Sequence, residues 1–277
     1  MKINFEKQLI ILLLTAAVIC SLCSCSKNSP DAGVIMREAQ NSAEKMGSCE
    51  STYKRTLIFS AGGNQYDCAS ASDISYVSNP FTLKSVQTSK NGNSQSENES
   101  YTVTSGNKLW YYCKSGGTWQ KTEAAGLNTS PLEQLDALRL LKQAESYNYV
   151  REMDYSSQRV HKIEVKFKDE ILRSTIEDIT DKTGMAKNSK TIVQTLLDSA
   201  PDIYGYCYVN KNSGNIVHIE ADVTDAVNSV FKNIDGASVK ISVSKCDISG
   251  DIKSIGKKIN ISLPEDAENA ADVQAYG

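Results

Sequence analysis

Hydrophobic and polar residues alternate along most of the chain, with the two-residue period of strands that bury one face. In the segment 159–168 (RVHKIEVKFK), His161, Ile163, Val165 and Phe167 fall on one side, and charged residues fall mostly on the other. Turn sequences such as AGGN and SGN separate similar segments about every 8–12 residues, a spacing typical of an antiparallel meander. The predicted strands lie in segments 49–60, 65–77, 81–89, 101–121 (three short strands), 147–154, 159–168, 203–224 (a hairpin) and 237–249.

The hydrophobic period becomes helical in segments between these strands. Helices are predicted over 33–46, 131–146 and 190–200. The second has leucines on one face, with Ser130 as its N-cap and Pro131 at its first position. The segment 169–180 is ambiguous, the polar segment 91–100 (NGNSQSENES) is predicted to be a turn or mobile loop, and the last segment is predicted to be extended up to Pro264.

The order of elements is a helix, a meander, a helix, a hairpin, a helix, a hairpin and a strand. Antiparallel strands dominate, without a regular alternation of parallel strands and helices. This order excludes a Rossmann-like or periplasmic solute-binding architecture. We expect an α+β fold, with an antiparallel sheet packed against a few helices, in a single domain over 34–277.

The N-terminal segment predicts a location. Two lysines precede an apolar run, Leu9–Ile19. The run is too short to span a bilayer, which takes ~20 helical residues, but it suits the hydrophobic region of a signal peptide. The sequence LCSC that follows resembles the bacterial lipobox, with Leu22 three residues before Cys25 and a small residue directly before it.

The lipobox resemblance implies that residues 1–24 are a lipoprotein signal peptide and that Cys25 becomes a diacylated N-terminal residue. Two acyl chains give stable anchoring. The body is then held at the extracytoplasmic face of the cell membrane by a polar tether, 25–33. The alternatives are an ordinary secretory signal or an uncleaved anchor. A metal or redox site at Cys20 and Cys23 is not expected, because processing would remove both residues.

Composition narrows the classes of function. The chain has 30 basic and 33 acidic residues, which argues against nucleic-acid binding. Its two histidines, His161 and His218, are far apart and lack metal-binding spacing, so we predict no metal site and no cofactor. No G-x-S-x-G motif occurs. A Cys–His pair is conceivable, but ordinary strand histidines explain the same positions, and the acidic clusters at 177–181 and 265–268 fit solvated faces.

The body also carries cysteines and aromatic residues that are candidates for sites. On an oxidising cell surface, Cys207 with Cys246 and Cys68 with Cys113 are candidate disulfides. Reduced, buried cysteines are the alternative account. Aromatic residues that share strand faces suit an apolar pocket with polar tips, although ordinary sheet core explains them too. The candidate pocket residues are Trp110, Tyr112, Trp119, Tyr204, Tyr206 and Tyr208.

Three passages resemble lipoproteins of the LolA/LppX type: KLWYYCKSGGTWQK (108–121), GYCYVNKNSGNIVHIEADV (205–223) and KINISLPEDAENA (258–270). The resemblance implies a curved antiparallel half-barrel around a few helices. It also implies a non-enzymatic protein that binds a lipid or other hydrophobic ligand between sheet and helices. The alternatives are a surface interaction or sensor module with a filled core, and an enzyme acting on envelope polymers. The sequence indicates no oligomeric state.

Overall fold

The structure, a computed structural model, describes residues 29–184, 194, 197, 200–232 and 240–273. The predicted signal peptide, Cys25 and most of the predicted helix over 190–200 lie outside these residues. Residues Ala32–Gly277 group into one compact unit. None of the described helices is long and apolar enough to cross a membrane.

The unit is built on one curved, open sheet of twelve strands, so the predicted α+β class with an antiparallel sheet is confirmed. Across the sheet the strands run in the order β12-β6-β5-β4-β3-β2-β1-β11-β10-β9-β8-β7. Neighbours are antiparallel except for β12, which is parallel to β6. The strands are β1 (Ser48–Ala61), β2 (Asn64–Ser78), β3 (Phe81–Asn91), β4 (Ser94–Ser105), β5 (Lys108–Ser115), β6 (Thr118–Glu123), β7 (Ala144–Tyr155), β8 (Gln158–Phe167), β9 (Ile203–Asn210), β10 (Ile216–Asp222), β11 (Ile241–Lys253) and β12 (Ala271–Asp272).

Two sequence predictions about the strands fare differently. The hairpin over 203–224 is confirmed as β9 and β10. The segment 91–100 is not a loop: only a two-residue turn at Gly92 separates β3 from β4, and Ser94 onwards pairs with β3. Because the backbone of β3 supplies hydrogen bonds along the whole segment, a strand forms there although both of its faces are polar.

The helices of the main core lie on one side of the sheet, whereas the last short helix lies on the other. They are α1 (Ala32–Glu44), α2 (Pro131–Gln134), α3 (Asp136–Arg139), α4 (Glu170–Thr183), α5 (Thr224–Lys232) and α6 (Glu265–Glu268), with a 3₁₀ turn at Leu140–Gln143. The predicted helix over 33–46 is confirmed as α1. The ambiguous segment is helical in α4, and α5 was not predicted.

The continuous helix predicted over 131–146 is wrong in its length. Its start is as predicted, because the Ser130 hydroxyl accepts a hydrogen bond from the Leu132 amide at 3.3 Å and Pro131 is the first helical residue. Leu135 then adopts an extended conformation, with φ −99° and ψ 115°, and separates α2 from α3. Its side chain is fully buried. The helix is thus interrupted at the residue whose side chain is buried in the core. The helical segment also ends earlier than predicted, because β7 begins at Ala144.

Successive residues of a strand point to opposite faces of the sheet. We call the side that carries α1, α3, α4 and α5 the helix face, and the other side the outer face. The main core lies on the helix face, where one continuous cluster joins strands and helices. It includes Leu138 of α3, Ile176 of α4, Val227 of α5, and Ile219 and Cys207 of the sheet, all with 0% exposure.

The helical layer approaches the sheet most closely at Gly250 of β11. A Cβ atom added to Gly250 would lie 2.5 Å from the Cβ of Ala137 in α3 and 3.1 Å from its Cα. Glycine is therefore required for α3 to pack directly on the sheet. The space between β11 and α3 is filled by protein, not left open to a ligand.

Candidate functional site

Two adjoining clefts open on the helix face beside α3, and they share Tyr53, Asp136 and Arg139. The first, which we call the helix-side cleft, has a volume of about 260 Å³. It lies between α3 and α4 over β1 and β11. Its residues are Tyr53, Arg55, Asp136, Arg139, Leu140, Gln143, Glu170, Ile171, Ser174 and Ile248.

The helix-side cleft has an apolar floor and a polar rim. Ile248 and Ile171 are buried, and Leu140 is half-buried. Arg55 is held at the rim by α4, since its guanidinium lies 2.5 Å from the Asp178 carboxylate and donates to the Thr175 hydroxyl at 3.0 Å. Such a cleft suits a ligand with an apolar part and a polar end.

The second, which we call the sheet-side cleft, has a volume of about 370 Å³ and lies on the far side of Tyr53, over β2, β3 and β4. Hydroxyl and amide side chains dominate its surface. Its charged residues, Asp136 and Arg139, form an ion pair with each other. The neutral polar residues are Ser70, Ser72, Gln87, Thr88, Ser89, Ser96 and Asn98.

The predicted pocket residues Tyr204, Tyr206 and Tyr208 do share one face of β9, but it is the outer face. Their neighbours on β9, Gly205 and Cys207, face the helices instead. A pocket between sheet and helices cannot include these tyrosines, so that part of the prediction is corrected. Tyr204 and Tyr206 border an open groove of about 490 Å³ on the outer face, whose other polar residues are Glu220, Asp222, Asp247 and Ser249.

A hydrogen-bonded network adjoins this outer groove. His218 Nδ1 lies 2.9 Å from Asp251 Oδ1, and the Tyr155 hydroxyl donates to the same oxygen at 3.1 Å. The Tyr208 hydroxyl donates to Glu220 at 2.5 Å. Burial, followed by the nearby Asp251 carboxylate, raises the pKa of Tyr155 to about 12. The network holds its phenols protonated and fixes both carboxylates, which is a structural role.

The predicted pocket residues Trp110, Tyr112 and Trp119 are also on the outer face, in the other half of the sheet. Tyr112 and Trp119 are covered by the chain itself. The C-terminal segment crosses them, with α6 following and β12 pairing with β6. The covering residues are Ile261, Leu263, Ala267 and Ala270. The expected aromatic pocket is therefore filled by the protein's own C-terminal segment.

The five body cysteines are free thiols in the structure. Cys207 and Cys246 are separated by the intervening strand β10, and Cys68 and Cys113 by β3 and β4. Strands lie about 4.8 Å apart, so each pair exceeds the Cα separation that a disulfide spans, up to about 6.8 Å. Both predicted disulfides are incompatible with this sheet.

Three thiols are buried, which fits the alternative of reduced core cysteines. Burial raises the pKa of Cys49 to about 12 and that of Cys246 to about 11, and it also raises the pKa of Cys207. A nucleophilic cysteine needs the opposite shift. His218 lies on the outer face, whereas Cys207 and Cys246 lie on the helix face, so neither can pair with it.

The residues of both helix-face clefts were not identified from the sequence. Tyr53 and Arg55 looked like ordinary strand residues, and their neighbours across the sheet are far away in the chain. A weak signal existed in β2, where Ser70 and Ser72 alternate with alanines, so that the polar residues occupy the face expected to be buried. Only the strand order shows that these serines meet Tyr53 and β3 at a cleft.

A scan against protein-family models gave no match, and neither did a search of curated proteins. Solved structures do match. The chain is similar to lipoprotein LppX from Mycobacterium tuberculosis, at 11% identity over 83% of this chain and 97% of that one, with a TM-score of 0.39. It is similar to LprF from Mycobacterium bovis, at 12% identity over 85% and 98%, with a TM-score of 0.41. A Vibrio parahaemolyticus domain described as an outer membrane lipoprotein-sorting protein matches at 10% identity over 86% and 96%, with a TM-score of 0.29.

Proposed function

We propose that this chain is a non-enzymatic binding protein, anchored by lipid at the extracytoplasmic face of the cell membrane, that takes an amphiphilic ligand in the helix-side cleft. The observation that carries the proposal is the make-up of that cleft. Its floor of Ile171, Ile248 and Leu140 is apolar, and its rim of Arg55 and Arg139 is polar. An apolar chain or ring fits the floor while a polar end stays at the rim.

The size of the cleft limits the ligand. Its volume of about 260 Å³ lies just below the ~300–1,000 Å³ of typical ligand pockets. The layer beneath α3 is filled, with Ala137 and Leu138 at 0% exposure. We therefore propose a single apolar chain or ring as the buried part, and not a lipid with several chains inside the fold.

The lipobox-like sequence before Cys25 supports the lipid anchor. If Cys25 is the acylated residue, Cys25→Ala should abolish acylation. In a bacterial host fed with an alkyne-tagged palmitate, the normal chain is expected to carry the tag and to sediment with membranes. Cys25→Ala is expected to lose the tag and to accumulate with its N-terminal segment uncleaved, because lipidation precedes processing in this type of signal. Cys23→Ala is the matched control and should keep the tag. A tagged Cys25→Ala variant would contradict the proposal.

The ligand site is tested by crosslinking on the full chain in vesicles. A single-chain fatty acid with a photoreactive diazirine is expected to label peptides from α3 and α4. Ser174 is exposed and lines the cleft, so Ser174→Trp fills it with little effect on the fold and should lower this labelling at least fivefold. Glu177→Trp, one turn further along α4 and outside the cleft, is the matched control. Equal labelling of the two variants would argue against the site.

The second candidate function is surface recognition of another macromolecule. The observation that favours it is the open outer groove, where Tyr204 has 45% of its surface exposed beside the carboxylates of Glu220 and Asp222. Crosslinking restricted to β9 and β10 would support this candidate over the first.

A further inference from the structure

Two rows of neutral polar side chains cross the helix face where the helical layer ends. In one row, Ser70, Ser89 and Ser96 are direct neighbours on β2, β3 and β4. In the other row, Ser72, Gln87 and Asn98 are neighbours on the same strands. The rows begin at Arg55 and Tyr53 of β1 and form the floor of the sheet-side cleft.

One hydroxyl in this floor lacks a partner. Ser72 is only 5% exposed, and its Oγ is buried without a hydrogen-bond partner among the described residues. A buried hydroxyl without a partner is costly, and native proteins keep few of them unless a site requires them. Because Ser72 lines the sheet-side cleft, a group bound there is placed to supply the missing hydrogen bond.

The chemistry of the cleft restricts what that group is. Asp136 and Arg139 neutralise each other, and the other lining side chains are uncharged, so an ion would find no opposite charge left unpaired. An acyl chain would bury hydroxyls and amides without replacing their bonds to water. Hydroxyl and amide groups both donate and accept, as sugar hydroxyls do, and the Tyr53 ring offers an apolar wall.

We infer that the sheet-side cleft binds a neutral, polyhydroxylated ligand, namely an uncharged saccharide segment. Gln87 and Asn98 provide paired amides, the serines of both rows provide hydroxyls, and Ser72 completes its hydrogen bonding on the ligand. This site is separate from the amphiphile site of the proposed function, although the two clefts share Tyr53 and α3.

The test uses the full chain in phosphatidylcholine nanodiscs, titrated calorimetrically with soluble neutral hexasaccharides: maltohexaose, cellohexaose and chitohexaose. At least one is expected to bind, and Gln87→Ala/Asn98→Ala is expected to weaken its binding at least tenfold. Both residues are exposed, so the fold should persist. The control, Gln95→Ala/Glu97→Ala, changes the same region of β4 on the outer face and should leave the affinity unchanged.

Ser72→Ala separates ligand binding from a structural role. It removes a hydroxyl that has no partner in the free protein, so the melting temperature without saccharide should stay the same or rise, while saccharide affinity falls. Three results would overturn the inference: no binding by any of the three saccharides, equal affinity in Gln87→Ala/Asn98→Ala, or a Ser72→Ala variant that melts earlier yet binds normally. None of them bears on fatty-acid labelling of α4, which tests the other cleft.

Discussion

Gly250→Ala is expected to destabilise the protein by about 1–3 kcal/mol, the usual cost of overpacking a core. The new methyl group would lie 2.5 Å from the Ala137 Cβ, closer than two carbon atoms can pack. Either β11 or α3 must move, and α3 carries Asp136 and Arg139, which border both clefts. The urea midpoint of the full chain should therefore fall, and fatty-acid labelling at α3 should fall with it.

A double-mutant cycle shows whether this contact is the cause. Ala137→Gly removes the opposing methyl group and costs roughly 1 kcal/mol through helix propensity. Combined with Gly250→Ala, it should restore part of the lost stability, with a favourable coupling of about 1 kcal/mol or more. Ser249→Ala, the preceding residue on the outer face, is the matched control. Strictly additive losses would mean that Gly250 acts through something other than α3.

Most of the sheet could be predicted from the alternation of hydrophobic and polar residues, because a strand that buries only one face has a hydrophobic residue at every second position. The alternation no longer shows which face a residue occupies where the register between two strands shifts at a bulge. Val217, Ile219 and Ala221 alternate in the sequence as residues of one face do, but a bulge between Ile216 and His218 places Val217 on the other face. Ile216 joins the main core, whereas Val217 packs with Tyr208 on the outer face.

The segment after Pro131 shows a different limit. Its leucines have helical spacing, and all the local signals for a helix start are present and correct. The sequence does not show that Leu135 interrupts the helix with an extended conformation and packs into the core. Nor does it show that Ala144 is the first residue of the edge strand β7. Tertiary packing overrides local propensity at both points.

The candidate sites depended on information that no single segment holds. The aromatic residues on β5 and β9 were predicted to line a pocket because of their size. Strand pairing across the whole sheet, however, determines whether they face the helices or the outer side. The covering of Trp119 depends on a C-terminal segment about 150 residues away in the chain. The serines of β2 and β3 have no distinguishing motif in the sequence. They form a continuous polar surface only through the pairing of the two strands.

Stability is expected to fall steeply as the pH rises from 9 to 12. The pKa of Cys49 is raised by burial from 9.0 to about 12, that of Cys246 from 9.0 to about 11, and that of Tyr76 from 10.0 to about 12. Below pH 9 both folded and unfolded chains keep these protons, so stability is unaffected. Above it the unfolded chain releases them first, binds fewer protons than the folded chain, and is favoured as the pH rises.

The size of this effect is large for one domain. Each pKa unit corresponds to about 1.4 kcal/mol, so Cys49 alone accounts for a loss on the order of 4 kcal/mol by pH 12. Total stabilities are typically ~5–15 kcal/mol, and the chain should therefore unfold below pH 12. Urea unfolding of the full chain, followed by far-UV circular dichroism under reducing conditions, measures the slope of stability against pH.

Variants assign the slope to particular protons. Cys49→Ala removes one ionising group, so between pH 10 and 11 the stability should fall by about 1.4 kcal/mol less per pH unit than in the unmodified chain. Met46→Ala is the control. Met46 is buried, lies three residues before Cys49 and does not ionise. Truncating its side chain should lower the stability equally at every pH and leave the slope of stability against pH unchanged. An unchanged slope in Cys49→Ala would mean that this thiol is accessible to hydroxide in the folded protein, and the filled core beneath α1 and β1 would have to be reconsidered.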